Sequence, residues 1–67
     1  MKISDFVKVE IEHILAESNF TKEEEELFLL RTKDVPLEQC AELLNVSVST
    51  VKRVNKRIKL KIDKVIE

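Results

Sequence analysis

Apolar positions recur along the chain at steps of three and four, the interval of an α-helix face. Ile3, Phe6, Val7, Ile11, Ile14 and Leu15 form the first such stripe and predict an amphipathic helix over residues 4–18. Ser4 stands at its N-cap position and Ser18 and Asn19 at its end, while Val9 falls off the stripe and His13 on its flank. Thr21-x-x-Glu24 is a capping-box pattern and predicts a second helix over 22–33. The acidic run Glu23 to Glu26 loads the positive end of that helix's dipole and reads as a solvated first turn, the alternative being a docking face for a basic partner surface. Leu27, Phe28, Leu29 and Leu30 cover more than one helical face. This predicts neighbours on two sides, the N-terminal helix on one and the C-terminal helices on the other.

The chain is organised around Pro36 to Arg57. Pro36 opens a third helix, 36–44, where its missing N–H costs nothing, and Leu37, Cys40, Ala41 and Leu44 share one face. Asn45 and Val46 break the pattern and Ser47 stands as the next N-cap. Val48, Val51, Val54, Ile58, Ile62 and Val65 then form a stripe over 48–65, with Lys52, Arg53, Lys56, Arg57 and Lys59 broadly opposite and Leu60 among them. Ala41 is small enough to let one helix cross the other closely. Two helices joined by a tight turn, the second strongly basic, are the pattern of a helix-turn-helix.

Composition narrows the class. The chain has 67 residues with no Gly, one Pro and no Trp or Tyr, which predicts a single all-α domain, 1–67, with four helices and no strand. A domain of this size buries only roughly 60% of its unfolded surface, so its stability is expected to be marginal or shared with a partner. No apolar run spans a bilayer and no signal-peptide pattern opens the chain, so a cytoplasmic protein without membrane contact is expected. One Cys and one His make neither a disulfide nor a metal site, and Cys40 lies on a core stripe. Nothing pairs a nucleophile with a base or builds a phosphate loop, so neither an enzyme nor a cofactor is expected.

The net charge of −1 hides an asymmetry. Residues 1–45 carry 5 Lys/Arg and 11 Asp/Glu, net −6, whereas residues 46–67 carry 7 and 2, net +5. A basic tip on an acidic body suits a polyanion met at one face.

Residues 20–62 resemble the LuxR-type effector domain and, more distantly, the promoter-reading C-terminal domain of sigma factors. The matching slots hold Phe20-Thr21, Glu24, Leu27-Phe28-x-Leu30, Gln39-Cys40-Ala41, Leu44, Val46-Ser47, Thr50-Val51-Lys52 and Lys61-Ile62. The resemblance covers about two thirds of the chain, and the S-x-x-T-V-K core with its upstream Ala is its most specific part. Asp34 and Asn45 stand where the family usually has Gly, and both types enter the left-handed region more readily than other non-Gly residues. Leu29 and Leu37 fill slots usually polar, which predicts extra packing under the N-terminal helix. With no receiver or sensing domain ahead of the motif, a complete two-domain regulator or a full sigma factor is not expected.

The resemblance implies sequence-specific binding of double-stranded DNA by a small transcriptional regulator, with residues 48–57 in the major groove. Lys52, Arg53 and Lys56 are then the leading base or phosphate contacts, with Arg57 on the same basic stretch. Ser47 and Thr50 are phosphate donors, and Ser49 and Asn55 secondary candidates. The alternatives are a protein-interaction module, for instance one binding RNA polymerase, or a nucleic-acid adaptor such as a DNA-packaging component. LuxR-type domains often pair through their last helix. That implies a homodimer with its interface around Ile58, Leu60, Ile62, Val65 and Ile66, the N-terminal helix being the other candidate.

Overall fold

A computed structural model describes residues 2–66. A 3-10 turn, Ile3–Asp5, leads into four helices: α1 (Lys8–Glu17), α2 (Lys22–Thr32), α3 (Leu37–Leu44) and α4 (Val48–Ile66). The fold is all-α, with no strand among the described residues.

The predicted first helix is divided. Ser4 lies inside the 3-10 turn rather than at an N-cap, Phe6 and Val7 are extended, and α1 starts at Lys8. The Val7 N–H donates to Glu10 Oε1 at 2.9 Å, so a glutamate caps the helix from within. The physical reason is tertiary. The 3-10 turn packs on α2 and buries Ile3, while α1 packs on α4 and buries Ile14. One straight helix presents one stripe and does not serve both neighbours. Val7 is in consequence 62% exposed, off the core face on which the spacing had put it.

Leu27 and Phe28 of α2 are fully buried, and the Phe28 ring lies 5.3 Å from that of Phe20. α2 packs on α4, α3 and the 3-10 turn, so its N-terminal neighbour is chiefly the turn and not α1. Leu37 is half-buried against the core, but Leu29 is partly exposed and does not lie under the N-terminal helix. It lines a groove with Leu30, Leu43 and Leu44, between α2 and α3.

Among the described residues, three non-glycine positions have positive φ: Asn19 (53°), Asp34 (60°) and Asn45 (57°). After α2 the Asp34 N–H bonds Arg31 O at 3.0 Å and the Val35 N–H bonds Leu30 O at 3.2 Å. After α3 the Asn45 N–H bonds Glu42 O at 3.3 Å and the Val46 N–H bonds Ala41 O at 3.0 Å. Both ends are Schellman motifs in which Asp or Asn takes the place of the usual glycine. Their short polar side chains lower the steric cost of the left-handed conformation enough to close both turns.

Candidate nucleic-acid interface

The turn between α3 and α4 determines which way α4 faces. Ala41 is buried in the core, and α3 packs on α4. Ser47 caps α4: the Thr50 N–H donates to Ser47 Oγ at 3.2 Å. The Ser47 hydroxyl also lies 3.1 Å from that of Ser49 and 2.9 Å from that of Thr50, forming a polar cluster at the helix start. Further along, Val51, Val54, Asn55, Ile58 and Ile62 are buried at steps of three, four and one, which fixes the rotation of α4 about its axis.

That rotation turns Ser49, Lys52, Arg53 and Lys56 outward, all of them exposed. Among the described residues none of these three cations takes part in an ion pair. Leu60 continues the same face at 56% exposure.

Arg57 differs from them. Its Nη2 lies 3.6 Å from Glu23 Oε1 and its Nε 3.3 Å from Glu24 Oε2, so it leans across to the first turn of α2. One turn further on, Lys61 Nζ donates to Glu24 Oε1 at 2.5 Å and lies 3.5 Å from Asn19 O. Glu24 is only 2% exposed, which corrects the picture of a uniformly solvated acidic turn. Its carboxylate also accepts the Thr21 N–H at 2.9 Å, while the Glu24 N–H donates to Thr21 Oγ1 at 3.2 Å, completing the expected capping box. Burial by itself would raise the carboxyl's pKa. The hydrogen bonds from Lys61 and Thr21 and the charges of Lys61 and Arg57 outweigh it and hold the group below its ordinary value.

The sequence pattern does not pair Glu24 with Lys61. The capping-box spacing marked Glu24 and the Lys61-Ile62 slot marked Lys61, yet nothing local joins residues 37 positions apart.

Two further expectations are corrected. Asn55 is buried with no partner for its Oδ1, so it does not reach outward as a base contact. Ile58 and Ile62 are fully buried in the domain's own core and are unavailable to a dimer interface. Of the remaining residues proposed there, Leu60 and Ile66 are exposed and Val65 is half-buried. Cys40 is fully buried, with its Sγ 3.6 Å from Val35 O, and burial pushes its thiol pKa up against the lowering influence of Arg31. No described helix is long and apolar enough to cross a membrane. Compared with family models, curated proteins and solved structures, the chain matches none.

Proposed function

We propose that the chain binds duplex DNA through the exposed face of α4 and serves as a small cytoplasmic transcriptional regulator. The observation that carries this is the outward row Lys52, Arg53 and Lys56, without ion-pair partners among the described residues, on a helix anchored by core on its other side. The remainder of the domain is acidic, so the polyanion has one face to meet. An α-helix fits the major groove, where Lys and Arg bond guanine O6 and N7, and the hydroxyls of Ser47, Ser49 and Thr50 sit at the end that approaches phosphates. Selection of bound duplexes from a random pool, followed by titration of variants, tests it. Lys52→Ala and Arg53→Ala are each expected to weaken binding. Loss of a phosphate contact flattens the salt dependence by about one unit of slope. Loss of a base contact costs roughly 1–3 kcal/mol and relaxes the sequence preference. Two variants that bind like the parent at every salt concentration would contradict the assignment.

The groove of about 330 Å³ lined by Leu29, Leu30, Leu43 and Leu44, with Leu43 59% exposed, supports a second function, docking on a protein such as RNA polymerase. Association with purified polymerase that Leu43→Glu abolishes, without DNA binding by the chain alone, would favour it over the first.

A single recognition helix reads one short half-site, so two copies on a two-fold site form part of the proposal. Pairing centred on Leu60 would bring Lys56 and Lys64 of two copies together. That leaves the end of α4, around Val65 and Ile66 with Leu60 at its edge, as the segment for it. Exposed Val7 and Val9 offer the alternative at the N-terminal end.

A further inference from the structure

Glu24 sits where three requirements of the domain meet. It caps α2 through the Thr21 N–H, and it receives Lys61 and Arg57 from successive turns of α4. Because Arg57 and Lys61 are four residues apart, they lie one above the other along a single edge of α4. A carboxylate gripping both therefore resists rotation and sliding of that helix relative to α2. The core stripe of α4 sets its overall rotation but, Asn55 apart, is aliphatic and leaves small adjustments open to repacking, which a buried carboxylate bonded at fixed points resists.

Arg57 is also drawn away from the outward row. It is one residue after Lys56 and is otherwise as fit to reach a phosphate, yet its half-exposed guanidinium pairs with Glu23 and Glu24 at 3.6 and 3.3 Å, which draws it toward α2. Releasing the clamp would add cations to the edge of the face, where they attract any duplex regardless of sequence.

We infer that Glu24 is a positioning residue for α4: through Arg57 and Lys61 it locks the helix's rotation and reserves those two cations, confining nucleic-acid contact to Lys52, Arg53 and Lys56. This deepens the proposed DNA binding and rests on it, and it removes Arg57 from the contact set that the basic stretch implied.

Glu24→Gln is the informative variant, because a glutamine oxygen still accepts the Thr21 N–H while the charge is gone. Binding is measured over a range of salt concentrations to the selected duplex and to a scrambled one. With the charge gone, Lys61 is left with a neutral amide oxygen and Arg57 with Glu23 alone, so both are held more weakly and the salt slope is expected to steepen by about one unit. Preference for the selected duplex is expected to fall by about tenfold, the scale of one misplaced base contact. A helix weakened merely in stability would change neither the slope nor the preference of its folded fraction. Lys61→Met, which breaks one arm and leaves the Glu24 charge on Arg57, is the second variant and covers the case in which Glu24→Gln fails to fold. It is expected to lose preference without a steeper slope. Parental slope and preference in the folded variants would overturn the role of Glu24 and leave the proposed DNA binding intact. A parent with no salt-dependent binding to duplex DNA would overturn both.

Discussion

At the scale of single residues, four consecutive glutamates have three different environments. Glu24 is buried and bonded, Glu23 reaches Arg57, and Glu25 and Glu26 face solvent. The capping box could be read from the spacing of Thr21 and Glu24, because it is made by neighbours in the chain. The burial of Glu24 could not, because its partners lie on α4 and are brought to it only by tertiary packing. The ionised carboxylate has a consequence for stability. Its pKa in the folded state is lowered from 4.5, so its contribution is fully present above that value and is lost as the pH falls through the lower folded-state pKa. Acid titration followed by circular dichroism is therefore expected to show Glu24→Gln less stable than the parent near neutral pH. The difference should narrow as the pH drops below 4.5. A gap between the two proteins that is independent of pH would contradict an ionised, bonded Glu24.

At the scale of elements, three of the four helices begin and end within a few residues of where spacing and caps put them. Their signals are local: Thr21 and Ser47 as N-caps, and Asp34 and Asn45 as left-handed C-terminal residues. The first helix differs from its sequence pattern, since no Gly or Pro interrupts residues 4–18 and the apolar interval continues through Phe6 and Val7. What divides it is the separate attachment of Ile3 to α2, a contact invisible in the local pattern. The Asn45 turn has a direct test. Asn45→Ala forces a Cβ without a polar partner into the left-handed region and is expected to cost about 1 kcal/mol by denaturant unfolding. Asn45→Gly is expected to be neutral or stabilising. Equal stability of the alanine and glycine variants would contradict the strain assigned to that turn.

At the scale of the whole molecule, the division of charge is also a division of labour between faces. One side of α4 completes the core and the other carries Lys52, Arg53 and Lys56, while the edge between them is bound to the acidic first turn of α2. The basic tip was legible as a count of charges. The subtraction of Arg57 and Lys61 from it was legible only in three dimensions. Sedimentation tests the proposed pairing: Leu60→Glu with Ile66→Glu is expected to yield monomers and weaken binding to a two-fold site more than to a half-site. A parent that sediments as a monomer at high micromolar concentration, with and without DNA, would remove the homodimer from the account. The central claim, that the outward face of α4 meets duplex DNA, is tested most directly by titrating the parent chain against its selected duplex across a salt series. Affinity is expected to fall linearly on logarithmic axes, by about 0.9 units of slope for each phosphate engaged, with the selected duplex preferred throughout. Failure to bind at low salt, or binding indifferent to salt and sequence, would contradict it.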